Sequence, residues 1–198
     1  MAGNAPDWLA RALGTGVDGS RLTIARIADE KAFGRGGFSL SSPAFRAGEG
    51  LDPCFTADEE DAVAPPLEWT APPPGAQEIV VIVEDASADG DDAPVHWLVW
   101  GLPGQKGMIL EGEAPPRVGK NAHRNSEWLL PEPPHDDPAH TYVFQIFALD
   151  LPMTLMPGAE RAEVVAAMEG HVMAAAVLTA TYKRADEEDG WDEDEEFE

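Results

Sequence analysis

The sequence predicts a mainly β protein, and three features of the chain indicate this fold class. The chain has 198 residues, of which 43% are hydrophobic, enough for a single substantial core. Its 18 prolines and 19 glycines fall between short apolar runs, a pattern typical of strands joined by turns. Three of these runs are almost unbroken in apolar residues, as expected for strands that are covered on both faces.

Four short elements are predicted ahead of these runs. Residues 6–13 are expected to form a helix that packs as an N-terminal appendage. The apolar residues of segment 21–27 alternate, which predicts a strand. Residues 38–42 and 67–70 are predicted to be short strands in otherwise glycine- and proline-rich surroundings, and Trp69 is expected to pack into the core.

The three long apolar runs are the predicted central strands. They cover residues 78–84, 95–102 and 142–149, and each is rich in β-branched or aromatic residues. Each run ends at a Gly, Pro or Asp, which are residues that terminate strands. Residues 108–111 form a shorter apolar stretch, which predicts an edge strand.

The C-terminal part of the chain predicts a helix, a strand and a tail. Residues 160–168 are expected to be helical and to end near Gly170. The predicted inward stripe of this helix consists of Ala162, Val165, Ala166 and Met168. Residues 175–183 alternate and predict a closing strand, whereas residues 185–198 are strongly acidic and are predicted to be disordered.

The charge of the chain excludes several classes of partner. The formal net charge is −24, so nucleic acids and anionic membranes are poor partners, because binding them relies on clustered Lys and Arg. Cys54 is the single cysteine, so no intramolecular disulfide is expected and a reducing compartment fits. We expect neither a signal peptide nor a membrane span, which needs about 20 apolar residues, and we predict a cytoplasmic protein.

Two histidines and an aspartate occur at the ends of the predicted central strands. Because side chains alternate along a strand, His96 is expected to share a face with Leu98 and Trp100. The same rule groups His140, Tyr142 and Phe144 on the third run. Asp85 follows the first run directly. If these strands are neighbours, the three polar residues can meet, although a histidine at a strand end is often only structural.

Five motifs in order carry a resemblance to a known family. They are FTADEEDAVAPPLEW, EIVVIVEDASA, APVHWLVWGLP, GKNAHRNSEWLLPEPPHDDPAHTYVFQIFALD and MEGHVMAAAVLTATYKR. Together they make residues 38–184 similar to the phosphatidylethanolamine-binding protein (PEBP) family, in its bacterial Raf-kinase-inhibitor-like branch. Residues 1–37 are then an N-terminal extension packed on the domain, and residues 185–198 are its acidic tail.

The resemblance implies both a fold and a site. The implied fold is a β-sandwich with a large central antiparallel sheet and a few peripheral helices. The implied site is a pocket for phosphate-type anions. Matched to the family's motifs, its residues are Asp85, His96, Leu130, Pro131, Pro133, Pro134, His140 and Tyr142. His171 matches a further family histidine whose role is expected to be structural, and the rim candidates are Asn121, His123 and Arg124.

The sequence also departs from the family's pattern at the implied pocket. Ala86 and Ser87 stand where the family has Pro and a second Asp. Leu130 stands where the family has a Gly that lets a ligand approach the backbone. The pocket is therefore predicted to be narrowed, altered or lost.

Three functions remain open at this point. The leading hypothesis is a non-catalytic protein that binds a small anion, such as phosphate or a phospholipid headgroup, through His96 and His140, with Asp85 orienting them. The second is a protein-interaction or regulatory module whose anion pocket no longer works. The third is a hydrolase, which needs a nucleophile that the sequence does not supply. A homodimer is expected from the resemblance, and the protein partner is unknown.

No metal or other cofactor is expected. The segment from Asp85 to His96 imitates a calcium loop, but its last position is His rather than Glu and its flanks are predicted strands. None of the five histidines has the spacing of a zinc site. Cys54 is expected to be a packed, small apolar residue rather than a nucleophile.

Overall fold

The computed structural model of the chain describes residues 4–185, which fold around two antiparallel sheets. The helices are α1 (Asp7–Leu13), α2 (Thr23–Ile27) and α3 (Arg161–Met168), with 3-10 turns at Arg35–Gly37 and Pro53–Phe55. The strands are β1 (Leu40–Ser41), β2 (Leu67–Trp69), β3 (Glu78–Asp85), β4 (Val95–Pro103), β5 (Gly107–Ile109), β6 (Arg117–Val118), β7 (His140–Leu149) and β8 (Val172–Tyr182).

The larger sheet has five strands in the order β6-β4-β3-β7-β8, with β3 at its centre. Both faces of β3 are buried, because successive side chains point to opposite sides. Val81 and Val83 face the smaller sheet, which has the order β1-β2-β5. Val80 and Ile82 face a layer that contains the three helices. The architecture is therefore a β-sandwich with helices on the outer face of the larger sheet, which confirms the predicted fold class.

Most of the predicted elements are confirmed to within a few residues. The three apolar runs are β3, β4 and β7, and the predicted closing strand is β8. The short strands expected near residues 40, 68 and 109 are β1, β2 and β5. Trp69 is 3% exposed and its indole N–H donates to the carbonyl oxygen of Gln105 at 2.9 Å, so it belongs to the core as predicted.

The strand predicted for residues 21–27 is wrong, because this segment contains α2. The first N–H groups of a helix have no partner within the helix. Here the backbone N–H of Thr23 donates to Glu84 Oε2 and that of Ile24 donates to Gln145 Oε1, both at 2.8 Å. The hydroxyl of Thr23 also donates to Glu84 Oε1 at 2.7 Å. Buried acceptors on the central sheet thus favour a helical turn where local alternation predicts a strand.

The inward face predicted for α3 is wrong at Ala162 and Ala166 and correct at Met168, whereas Val165 is only half-buried. The helix buries Val164 and Met168, whereas Ala162 and Ala166 are exposed. Val164 and Met168 are four residues apart and therefore lie on one face. Arg161 lies on the same face and its guanidinium donates to the buried Glu84 at 3.0 Å. This buried ion pair fixes the rotation of the helix, so the alanines face solvent.

The N-terminal segment contributes to the core of the described structure. Leu9, Leu13, Leu22 and Ile24 are all buried against the helical face of the larger sheet. The predicted disorder of the acidic tail falls almost wholly on residues 186–198, which lie outside the described residues. Within residues 4–185, no helix is both long and apolar enough to cross a membrane.

Candidate ligand-binding site

A cavity of about 250 Å³ opens where β3 ends and where β4 and β7 begin. Antiparallel pairing causes this juxtaposition, because the last residue of β3, Asp85, lies opposite Tyr142 near the start of β7. The residues that line the cavity include Asp85, His96, His140 and Tyr142. The structure therefore brings together the acid, the two histidines and the tyrosine that the sequence singled out.

Asp85 is buried, and each of its two carboxylate oxygens has hydrogen-bond donors. Oδ1 accepts the backbone N–H groups of Ser87 at 2.8 Å and Ala88 at 3.1 Å, which holds the turn that follows β3. Oδ2 lies 2.7 Å from His140 Nδ1. Asp85 therefore fixes the turn and the histidine ring at the same time.

His140 contacts a carboxylate through each of its ring nitrogens. Nδ1 donates to Asp85, and Nε2 lies 3.1 Å from Asp137 Oδ2. Carboxylates only accept hydrogen bonds, so both contacts are satisfied at once by the doubly protonated ring. Burial lowers the pKa of His140, but Asp85 and Asp137 outweigh it and raise the pKa above its ordinary value. The geometry thus favours an imidazolium at this position.

His96 has the opposite electrostatic character. Its Nδ1 donates to the carbonyl oxygen of Leu129 at 2.7 Å, and the backbone N–H of Leu129 donates back to the carbonyl of His96 at 2.8 Å. Burial lowers the pKa of His96 below its ordinary value, although the Leu129 carbonyl and Asp85 act against it. A neutral ring that donates from Nδ1 leaves Nε2 as an acceptor, and within residues 4–185 no group bonds to it.

The predicted grouping of His96 with Leu98 and Trp100 on one face is wrong. The pairing of β3 with β4 slips between Val83 and Glu84, so that His96 is an extra residue in a β-bulge. Its ring packs edge-on against Tyr142, with ring centroids 5.0 Å apart. Leu98 and Trp100 lie on the helical side of the sheet instead. The bulge is what turns His96 towards the cavity.

Tyr142 adds a hydroxyl group to the cavity. The residue is 1% exposed, and its hydroxyl has no hydrogen-bond partner among the described residues. Burial, and after it the charge of Asp85, raise the pKa of the phenol well above its ordinary value. Tyr142 therefore remains a neutral hydroxyl that can donate or accept.

The proline wall is only partly as predicted. Leu130, Pro133 and Pro134 line the cavity, but Pro131 is not among its described lining residues. Pro131 is buried and its carbonyl accepts the backbone N–H of Ala57 at 3.1 Å, which ties the wall to a neighbouring loop. Consecutive residues of an extended segment point in opposite directions, so Leu130 and Pro131 do not share one face.

Of the rim candidates, only His123 lines the cavity. Asn121 is buried and its side-chain N–H group donates to Asn125 and to the carbonyl of Glu127, so it holds the loop. Arg124 instead forms an exposed ion pair with Glu160 at 3.1 Å. Among the described residues that line the cavity, none is a lysine or an arginine.

The sequence profile of the phosphatidylethanolamine-binding protein family matches residues 41–183. The chain belongs to that family. A member from Aquifex aeolicus, named UPF0098 protein, is 32% identical over 171 residues, which cover 80% of this chain and 96% of that protein. A candidate lipoprotein of Mycobacterium tuberculosis, LppC, is 30% identical over 149 residues, covering 73% of this chain and 72% of LppC.

A solved structure of a PEBP homolog supports the same assignment. The Chlamydia trachomatis homolog has a TM-score of 0.70 and 29% identity, and the match covers 75% of this chain and 98% of that one. The match to the family's sequence profile starts at residue 41 of this chain, after α1 and α2. The two N-terminal helices are therefore additions to the part that the PEBP profile matches.

The departures from the PEBP pattern have defined structural roles in this chain. Ser87 stands where the resemblance expects a second Asp, and its hydroxyl oxygen accepts the backbone N–H of Thr141 at 2.8 Å. Arg21 donates to the carbonyl oxygens of Ala86 at 2.9 Å, Ala88 at 2.7 Å and Gly90 at 2.9 Å. The turn after Asp85 is thus held by β7 on one side and by the N-terminal segment on the other.

Sequence reasoning missed two acids and one arginine near this site. Glu132 lines the cavity, and Asp137 bonds to His140. Both acids occur in the stretch PEPPHDDPAH. The signal for Asp137 was its place three residues before His140. Arg21 had no local signal, because its partners lie 65 to 69 residues away along the chain.

Two further candidates lie outside the site. His171 Nδ1 bonds to Asp150 at 2.9 Å beyond the far end of β7, so the structure places it away from the cavity. Burial, followed by the neighbouring Asp52, raises the pKa of Cys54 to about 11, which keeps the thiol protonated and weakly nucleophilic near neutral pH. Within the described residues, no group of three or more His, Cys, Asp or Glu is placed to hold a metal ion.

Proposed function

We propose that this PEBP family member binds a small anion, phosphate or a phospholipid-headgroup-like group, in the cavity between His96 and His140, and that it does no chemistry on it. The observation that carries the proposal is the pairing of His140 with Asp85 at 2.7 Å, which favours a positively charged, buried ring at the cavity. Charge-assisted hydrogen bonds to such a ring are short and strong.

The polar groups of the cavity suit a phosphate that carries one proton. His140 Nε2 is a donor, whereas the free Nε2 of His96 is an acceptor, and the hydroxyl of Tyr142 can act as either. A monohydrogen phosphate offers both oxygens that accept and a hydroxyl that donates. This complementarity supports a protonated phosphate over a fully ionised anion.

The affinity is expected to be weak. The chain carries a formal net charge of −24, which opposes the approach of an anion. No lysine or arginine is found among the described lining residues, so the charge of His140 is the main attraction. Binding in the millimolar range is therefore expected, about 4 kcal/mol at 1 mM.

The absence of an activated nucleophile supports a binding role rather than hydrolysis. The raised pKa of Cys54 leaves a protonated thiol, and Cys54 does not line this cavity. The Ser87 hydroxyl oxygen accepts the N–H of Thr141 and has no adjacent histidine bonded to it in the described structure. General-base catalysis by His140 is also disfavoured, because its raised pKa and two carboxylate contacts hold its protons.

The test is an NMR titration of the histidine ring signals with inorganic phosphate and with phosphoethanolamine. In the wild-type protein the rings of His96 and His140 should shift together, and His140→Ala should abolish the response of His96. His171→Ala is the matched control, because it removes a second His–Asp pair away from the cavity and should leave binding unchanged. If neither His96 nor His140 responds at millimolar concentrations, the anion-binding proposal is wrong.

A regulatory or protein-interaction module is the second candidate, and one observation favours it. The cavity of about 250 Å³ is smaller than most small-molecule sites, which measure roughly 300–1,000 Å³, and Leu130 occupies part of its wall. Failure of the titration, in a protein that is otherwise folded, would favour this candidate.

Location and assembly are proposed separately. We propose a cytoplasmic protein, because the single cysteine gives no intramolecular disulfide for an oxidising compartment. The lipoprotein name of LppC points the other way, so fractionation of cells into soluble and membrane fractions is the test. We also propose a homodimer, which light scattering coupled to size-exclusion chromatography tests directly.

A further inference from the structure

His140 Nε2 is the ring nitrogen that Asp85 leaves for a ligand, and an acid of the same chain already bonds to it. Asp137 Oδ2 lies 3.1 Å from Nε2. The backbone N–H of Asp137 donates to the carbonyl of Pro134 at 3.2 Å, so the residue sits in a turn just before β7. The side chain of Asp137 is 47% exposed, whereas that of His140 is 8% exposed. The acid therefore reaches inwards from solvent.

Asp137 is not needed to orient the histidine. Asp85 is buried, is held by two backbone N–H groups and bonds to Nδ1 at 2.7 Å, which already fixes the ring. A half-exposed acid in an i, i+3 pair contributes little to stability, because solvent screens it and its side chain loses freedom. The position of Asp137 on the outward nitrogen thus lacks a sufficient structural explanation.

We propose that Asp137 is an internal anion that competes with the ligand for His140 Nε2 and so determines which anions the cavity accepts. This inference rests on the proposed anion-binding function. A ligand binds by displacing the Asp137 carboxylate into solvent, where half of its surface already lies. The His140 donor passes from one anion to the other, and no bond of the ligand is broken.

Competition with Asp137 sets a minimum strength of interaction with His140 that a ligand must exceed in order to bind. A tethered carboxylate acts at a high effective concentration, so a free monocarboxylate of the same basicity cannot displace it at ordinary concentrations. A phosphate has more charge and a hydroxyl that can donate to His96 Nε2, which a carboxylate lacks. The site is therefore expected to accept phosphate groups and to exclude simple carboxylates.

The test compares phosphate and acetate binding, followed by the ring signals of His96 and His140, in the wild type and in Asp137→Asn. The substitution removes the competing charge and should tighten phosphate binding roughly fivefold or more. It should also allow acetate to bind. Asp137→Ala, which removes the acceptor as well, should give at least the same gain. Asp136→Asn is the matched control, because it removes an exposed charge from the same turn and should leave the affinity almost unchanged.

A second readout does not depend on any ligand. If Asp137 bonds to Nε2 in solution, Asp137→Asn should lower the pKa of His140 in an NMR pH titration, and Asp136→Asn should not. An unchanged pKa overturns the inference, as does an equal gain in affinity from Asp136→Asn.

The outcomes also separate this inference from the proposed function. Phosphate binding in the wild type without a gain in Asp137→Asn or Asp137→Ala overturns the competition alone. No response in any variant, including those that lack the Asp137 charge, overturns anion binding and the competition with it. Binding that appears only in the Asp137 variants supports the competition but overturns anion binding by the wild-type protein at millimolar concentrations.

Discussion

Glu84 and Asp85 are consecutive residues of β3 whose carboxylates serve opposite faces of the central sheet. Glu84 is fully buried and bonds to Thr23, Gln145 and Arg161 on the helical face. Asp85 bonds to His140 at the cavity. Because side chains alternate along a strand, two adjacent residues can point to opposite faces of the sheet. The attachment of the N-terminal segment and the chemistry of the cavity thus depend on adjacent residues.

Replacing Glu84 should destabilise the protein strongly. Glu84→Ala leaves Arg161 without its buried partner and leaves the N–H and hydroxyl of Thr23 without an acceptor, so the free energy of unfolding should fall by about 3–5 kcal/mol. Urea denaturation measures the change. Glu68→Ala, at an exposed position of β2, is the control and should have little effect. Equal losses in the two variants would contradict a special role for Glu84.

His140 should titrate above its ordinary pKa of about 6.5, and Asp85→Asn should lower that value. A raised pKa means that the stabilisation by protonated His140 is fully present below about pH 6.5 and is lost as the pH rises through the folded-state pKa. The stability difference between the wild type and Asp85→Asn should therefore shrink over that interval. NMR titration and urea denaturation at several pH values measure both effects. Asp150→Asn, which removes the hydrogen-bond partner of His171 away from the cavity, is the control and should leave the pKa of His140 unaffected.

The contribution of His96 to the free energy of unfolding should depend on pH in the opposite direction to that of His140. Its pKa is lowered by burial, so below about pH 6.5 the unfolded chain takes up a proton that the native protein does not. Stability should therefore fall with decreasing pH, by at most about 1.4 kcal/mol per pH unit from this group, until the folded-state pKa is reached. His96→Phe removes the titrating ring and should flatten the pH dependence of stability. An unchanged slope in that variant would show that His96 is not held neutral.

Leu130 should limit the affinity of the cavity. Leu130→Gly removes the side chain from the wall and restores close access to the backbone, so phosphate should bind more tightly in the histidine titration. The same change should lower stability, because Leu130 packs against the core between the two sheets. Leu110→Gly, which alters an exposed leucine, is the control for a general effect of glycine. Weaker binding in Leu130→Gly would mean that the leucine supports the site.

The central strands were predictable because their signal is local and strong. Strands β3, β4 and β7 are buried on both faces, and unbroken apolar runs report that directly. The helix α2 was not predictable from its own residues, because its acceptors Glu84 and Gln145 lie 61 and 121 residues away along the chain. Long-range capping overrode the local pattern.

The candidate site was predictable in composition but not in detail. Strand ends and the family resemblance together identified Asp85, His96 and His140, and the structure brings them to one cavity. The side of the sheet that His96 faces depended on a bulge, which shifts the alternation by one residue and leaves no mark in the sequence. The contact of Asp137 with His140 depended on the shape of one turn.

The three hydrogen bonds from Arg21 to the turn after Asp85 have a practical consequence for the design of chimeras between family members. The family profile begins at residue 41, so a chimera cut there would graft the cavity without Arg21 and without Thr23. Its turn would keep the hydrogen bonds to Asp85 and to β7 but lose those from Arg21, and its Glu84 would carry a buried charge with fewer donors. The smallest exchangeable piece of this protein therefore includes Arg21 and Thr23, which lie upstream of residue 41, where the match to the family profile begins.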